Sequence, residues 1–551
     1  MHYNTIVVGG GTAGAIVAAR LSEDGDREVL LLEAGPDYPG ETPQELLDAS
    51  SPVTCGHNWE TQAFLGEDDP AAHSEQRERI ARVFQLAAGR LPSGQRLPAA
   101  AGGGGGSRFQ YPLGKVMGGG SAINGALAFH ARQEDYAAWS AAGSEEWSWE
   151  SVREAIARLE GAEGAEPVLP IETALSGPLT RVQGAFLETC VAAGLPTVDL
   201  RQGTLPGVGV IPKSTARGER VSTAKLYLAA ARRRPNLTIQ PHCLVDRLVF
   251  EERRGPLTAS GVEALVDARR CRFSGEQIVL SAGTIHSPAI LLRSGVGAAA
   301  EIARAGGRTL LDLPGVGKNL MEHPAVSIWA VPRAGACPEG EPIHQVMLQQ
   351  RSAAGGALCD LHLFMLSALP TRKLPPLRDV VGADVAIGIS VIVATPVSRG
   401  RVEILDSDPT RSPRIYLNCV RETADLHRMM EGLRSAWRIL CGERLAACVE
   451  RIVLWHQGVI DSDNLMEKMI RTTARGAWHP VGTLRMGREG DAMAVVDQRG
   501  QLYGCRNVTV ADGSIMPALP SVPTNLTCML IAERIAAHLR GPEHGLRSRD
   551  E

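Results

Sequence analysis

Short continuous apolar runs separated by an amphipathic one open the chain. Thr5-Ile6-Val7-Val8 is apolar throughout. Thr12 to about Glu23 carries its apolar residues at helical spacing, and Val29-Leu30-Leu31-Leu32 is apolar again, ending at Glu33. Two such strands around a helix predict a β-α-β unit in a parallel sheet covered on both faces. The same pattern predicts strands at Gln277–Leu280 and Val508–Ala511, a hairpin at Val245–Glu252 and Ser260–Val266, and helices at Ser144–Leu159 and Leu526–Leu539. Ser287 suits a helix N-cap, Pro288 the first helical position and Gly295 the exit. Residues 325–465 mix strands (Val385–Val393, Arg401–Leu405) with a helix over Thr423–Leu440. The expected class is α/β, a Rossmann-like domain joined to a second domain that mixes strands and helices. Ala99-Ala100-Ala101 and Gly102 to Gly106 are low-complexity, so residues 85–107 read as a surface loop, either a lid or a linker.

Composition narrows the picture. A chain of 551 residues exceeds what one core normally serves. With 57 Lys+Arg against 61 Asp+Glu, the net charge of -4 argues against nucleic acid as a partner. Arg232-Arg233-Arg234 reads as a solvated helix end. The 11 cysteines are scattered, without the spacing of a zinc site, so no metal is expected and the thiols suit a reducing cytoplasm. The first strand begins at about Thr5, which leaves no room for a signal peptide. No apolar run reaches the roughly 18 residues of a membrane span. A cytoplasmic protein without a transmembrane segment is expected.

Three segments carry candidate chemistry. Gly9-Gly10-Gly11-Thr12-Ala13-Gly14 fits G-x-G-x-x-G between strand and helix. Its glycines permit the tight turn, backbone approach to a pyrophosphate and close helix packing, and the helix N-terminus faces the phosphates. Glu33, followed by Ala34, stands at the next strand end, where a carboxylate binds ribose hydroxyls. This loop suits FAD and NAD alike. The glycine-dense segment Gly114 to Asn124 is either a flexible loop or backbone laid against a flat ring, its N–H groups facing the ring's heteroatoms. In the third segment, Trp478 to Gly487, His479 stands beside Pro480 and near Gly482, as a proton acceptor or as a structural histidine. Asn525 before Leu526 is a good N-cap for the last helix.

Together these segments resemble the glucose-methanol-choline (GMC) flavoprotein oxidoreductases. Gly114 to Asn124 is similar to the family's first signature, with Met117 where a branched aliphatic is usual, and Gly283 to Gly297 is similar to the second. Asp312 to Leu320 with His323-Pro324, Ser398 to Val402, the His479 run and Ala511 to Pro517 complete the likeness, in the family's order. The resemblance implies FAD, its ADP half on Gly9–Gly14 and Glu33, and its adenine at the backbone of Val245. The flavin would lie along Val116, Gly118–Gly120 and Asn124, near Asp512, Gly513, Thr524 and Asn525. Ile123 replaces the histidine that links FAD covalently in some relatives, so FAD is expected to be non-covalent.

The resemblance further implies that His479 takes an alcohol's hydroxyl proton while a hydride passes to flavin N5, with Asn525 as second active-site residue. The implied partners are a small-molecule alcohol and an electron acceptor, O2 or another carrier. An FAD-binding domain over 1–160, 205–320 and 466–541 is expected, with an α+β substrate-binding domain (antiparallel sheet plus helices) over 161–204 and 321–465 and a tail at 542–551. Leu484 and Val522-Pro523 depart from the family beside the site. The same fold also hosts hydroxynitrile lyases and light-driven fatty acid photodecarboxylases, an alternative reaction class.

Overall fold

The computed structural model describes residues 2–50, 56–66, 108–160, 168–173, 177–201, 205–251, 255–354 and 359–541. The expected loop at 85–107 and tail at 542–551 lie outside them. In chain order the strands of the two large sheets are β1 (His2–Val8), β2 (Val29–Leu32), β3 (Gly207–Val210), β4 (Leu237–Gln240), β5 (Cys243–Phe250), β6 (Ala259–Val266), β7 (Arg269–Leu280), β8 (Pro324–Pro332), β9 (Val346–Gln350), β10 (Leu361–Pro370), β11 (Val385–Val393), β12 (Val449–Ile452), β13 (Arg475–Gly476) and β14 (Val508–Val510). The helices that matter to the site are α1 (Thr12–Leu21), α2 (Gln133–Ala141), α3 (Gly283–Arg293), α4 (Thr423–Leu440) and α5 (Asn525–Arg540).

The first sheet runs β4-β2-β1-β7-β6-β5, with β14 on the far side of β7. Its parallel half holds the predicted β-α-β unit. β2 and β7 flank β1, and α1 packs against α5. β7 is longer than the predicted Gln277–Leu280. Its first half pairs antiparallel with β6, and its second half lies parallel between β1 and β14.

Pro288 lies inside α3 rather than at its start, and Ser287 does not cap it. Ser287 Oγ instead donates to Asp512 Oδ2 at 2.6 Å. A proline has no N–H for the carbonyl four residues back. That carbonyl, on Thr284, accepts from Thr483 Oγ1 at 2.6 Å. Gly295 leaves the helix at φ +82°, as expected. The arginine cluster is not simply solvated either: Arg232 donates twice to Asp37 at 2.6 Å and Arg234 donates to Ser22 Oγ at 2.9 Å, because the helix end faces the first domain.

The second sheet, β12-β8-β11-β10-β9-β3 with β13 beside β8, is antiparallel. Side chains alternate between its faces. Leu348, Leu363 and Val391 join Met429 and Leu433 of α4 in one core. Met347, Phe364 and Ile392 face the other way, into the core of the first domain. Sheet membership departs from the boundaries expected at 205 and 466. β3 and β13 hydrogen-bond into the second sheet, and Met466, Met469 and Ile470 pack in its core.

Candidate active site

Two glycine segments about a hundred residues apart form one surface. Gly14 needs no side chain because a Cβ there would lie 1.8 Å from the Gly9 carbonyl oxygen, so only glycine lets α1 start against β1. Gly119, at φ +50°, would place a Cβ 2.7 Å from Gly11 Cα. Gly118 N–H donates to the Gly10 carbonyl at 2.8 Å and Ser121 N–H to Thr12 Oγ1 at 3.1 Å. Ala13 is buried in the first turn of α1, and Val116 packs with Leu46, Ala122 and Ile123. Asn124 Oδ1 accepts the Ala126 N–H at 2.9 Å, closing a turn after the segment.

The surface fits a dinucleotide. α1 has no side-chain cap, so its first N–H groups face outward. A Cβ at Gly11 or Gly120 would meet nothing nearer than 3.8 or 3.9 Å, which leaves room for a pyrophosphate beside that terminus. Glu33 is buried, and its two carboxylate oxygens accept from Gly10 N–H at 2.8 Å and Gly35 N–H at 2.7 Å. Burial pushes its pKa up to about 7 against those donors. Ala34 is half-buried beside it. Cys243 N–H donates to the Glu33 carbonyl at 2.8 Å, which brings β5 and buried Val245 to the same strand end.

Asp512 works through protein donors. It accepts from Gly283 N–H (2.9 Å), Ser287 Oγ (2.6 Å) and Ser514 N–H (2.8 Å). It therefore fixes Gly513, whose carbonyl accepts the Gly482 N–H at 3.1 Å. Thr524, not Asn525, occupies the cap position of α5, and its side chain makes no capping bond. The expected capping role of Asn525 is thus absent. Asn525 is the first helical residue, half-buried, because Thr524 already has helical dihedrals (φ -82°, ψ -6°).

His479 is held from below by Glu322, which sequence reasoning missed. Its N–H donates to both Glu322 oxygens, at 2.8 and 3.0 Å, and the His323 N–H also reaches Glu322 at 2.8 Å. The Tyr111 hydroxyl donates to the same carboxylate. Burial pushes Glu322 up to about 7, opposed by these donors.

The second missed residue is His323. Its Nε2 lies 2.9 Å from the Ala394 carbonyl and 3.0 Å from the Pro520 carbonyl, so that nitrogen carries the proton. Its Nδ1 is then a lone pair, and it lies 2.9 Å from His479 Nδ1. That nitrogen must be the donor, which leaves the basic lone pair of His479 on Nε2. Burial, then His323 and His362, hold His479 well below the ordinary histidine range, and burial pushes His323 down to about 4. The signal available in sequence was the repeated His-Pro pair, His323-Pro324 and His479-Pro480.

Two interlocked glycine segments with room for a dinucleotide, and a neutral, oriented histidine, fit a flavin-type oxidoreductase. The GMC oxidoreductase family matches residues 3–325 with its N-terminal part and 396–532 with its C-terminal part, and the chain belongs to this family, whose cofactor is FAD. It is 30% identical to 5-(hydroxymethyl)furfural oxidase of Methylovorus sp. (strain MP688) over 97% of this chain and 98% of that protein. It is 31% identical to oxygen-dependent choline dehydrogenase of Yersinia pestis, over 98% and 94% of the two chains. Crystalline pyridoxine 4-oxidase from Mesorbium loti superimposes with a TM-score of 0.81 at 26% identity, over 98% of this chain and all of that one. Family members oxidise alcohols or similar donors, using a small-molecule substrate and an electron acceptor. Among the described residues no helix is long and apolar enough to cross a membrane.

Proposed function

We propose that this protein oxidises a primary or secondary alcohol to the carbonyl, with His479 Nε2 as the proton acceptor. The observation that carries this reading is the contact between His323 and His479, which puts the free lone pair of the second ring on Nε2. Gly9–Gly14 and Gly114–Asn124 would hold FAD without a covalent link, and its N5 would supply the hydride acceptor. Burial keeps His479 neutral at rest. Once its Nε2 takes the hydroxyl proton, the Nδ1–H bond to His323 and the two carbonyls behind it stabilise the positive ring. Asn525 sits at the positive end of α5, where it orients the developing alkoxide. General base catalysis of this kind contributes roughly 10²–10⁴ in rate.

The relatives' names support the substrate class, since 5-(hydroxymethyl)furfural and choline each carry a CH2OH group. Anaerobic mixing with a panel of alcohols tests the proposal: bleaching of the flavin with release of the carbonyl product is expected. No bleaching by any alcohol, with light- or cyanohydrin-dependent turnover instead, would move the protein to the photodecarboxylase or lyase reading. Mixing the reduced enzyme with air-saturated buffer then decides between O2 and another carrier.

A further inference from the structure

One buried cationic N–H near the sheet face turned toward the first domain has no partner among the described residues. Arg132, 7% exposed, precedes α2 and donates from Nη2 to Gln349 Oε1 at 3.1 Å. Its other terminal nitrogen, Nη1, is buried with no hydrogen-bond partner among the described residues. His362 on β10 is the cross-strand partner of Gln349 on β9 and is 3% exposed; its ring donates to the Cys359 backbone carbonyl, which leaves the buried Nε2 as an acceptor lone pair. The Gln349 amide nitrogen is committed to the Leu205 carbonyl at 2.6 Å. Asp135 is engaged by the backbone N–H of Arg132 at 2.8 Å and by the N–H and hydroxyl of Ser521, both at 2.9 Å.

A guanidinium stays cationic even here; Asp135 and Glu134 offset part of its charge, but the unmet Nη1–H is costly unless a ligand completes it. The place is right for a substrate contact. Gln349 and His362 have the parity of Met347 and Phe364, on the face turned toward the first domain. His362 also pairs with Ile392, two residues from the Ala394 carbonyl that holds His323. It is close enough to both Arg132 and His479 for charge on one to disfavour charge on the other.

We propose that the Arg132 guanidinium forms an oxyanion subsite that binds a carboxylate carried by the alcohol substrate. This rests on the alcohol-oxidation reading and narrows it to hydroxy-carboxylates. The subsite is tested on the FAD-loaded full-length enzyme with 4-(hydroxymethyl)benzoate and its neutral counterpart 4-(hydroxymethyl)benzamide, by anaerobic flavin reduction. The carboxylate should half-saturate at a concentration roughly ten- to a hundredfold lower, the size expected for charge-assisted hydrogen bonds. Arg132→Lys should keep part of that ratio and Arg132→Gln should bring it near one. Equal half-saturation in the wild-type enzyme, or a ratio that survives Arg132→Gln, overturns the subsite.

If neither these two nor any alcohol of the panel bleaches the flavin, the alcohol-oxidation reading fails separately. Binding of benzoate against benzamide, read from the flavin absorption shift, then decides the subsite. Tighter benzoate binding that Arg132→Gln abolishes supports it, and equal binding of the two overturns it.

Discussion

In the proposed reaction His479 accepts a proton only while its Nε2 is bare, which one neighbour and burial arrange. His323 orients the ring through Nδ1, and burial keeps both rings neutral. With the pKa of His479 depressed, the neutral form persists through neutral pH. Flavin reduction should therefore be flat there and fall only on acidification below the ordinary histidine range, which a stopped-flow pH profile checks. His323→Ala removes the acceptor for Nδ1–H and should cost about 10–100-fold in flavin reduction while FAD is retained, less than the full general-base contribution because the base itself remains. Glu322→Gln puts an amide NH2 against N–H donors. Losing hydrogen bonds to a charged group costs about 2–3 kcal/mol, so a lower Tm and slower turnover are expected together. His479 was legible in its sequence run. His323 and Glu322 were not, because their contact with it spans more than 150 residues and exists only once β8 is laid beside the 477–481 loop.

At the scale of elements, the glycine loop and the helices were the legible parts. Alternating apolar runs placed β1, α1 and β2, and the Thr423–Leu440 helix has the predicted ends. The start of α3 was misplaced because Ser287-Pro288 has the local chemistry of a helix start, while tertiary partners satisfy the helix around it. This makes Thr483 a test. Thr483→Val strands the buried Thr284 carbonyl and should destabilise by about 1–3 kcal/mol, read as a lower Tm or denaturant midpoint. Gly14→Ala collides with the Gly9 carbonyl. The purified variant should lack the flavin absorption of the wild type.

For the whole molecule, one face of the antiparallel sheet belongs to each core, so the second sheet packs directly on the first domain. The domain boundaries were the least legible feature. β3 and β13 are too short to mark themselves by periodicity, and only their pairing assigns them to the second sheet. The family's order of motifs carried the cofactor and the class. The proposed substrate contact was not legible, since Arg132 and the Gln349 that holds it come from segments far apart in the chain. Ile123 cannot bond to the cofactor as a histidine would, so acid precipitation should release FAD into the supernatant. The central claim, proton abstraction by His479, is tested most directly by the anaerobic rate of flavin reduction in FAD-loaded His479→Ala with an alcohol that reduces the wild type. A loss of roughly 10²–10⁴ at unchanged FAD content is predicted. Full reduction at the wild-type rate would contradict it.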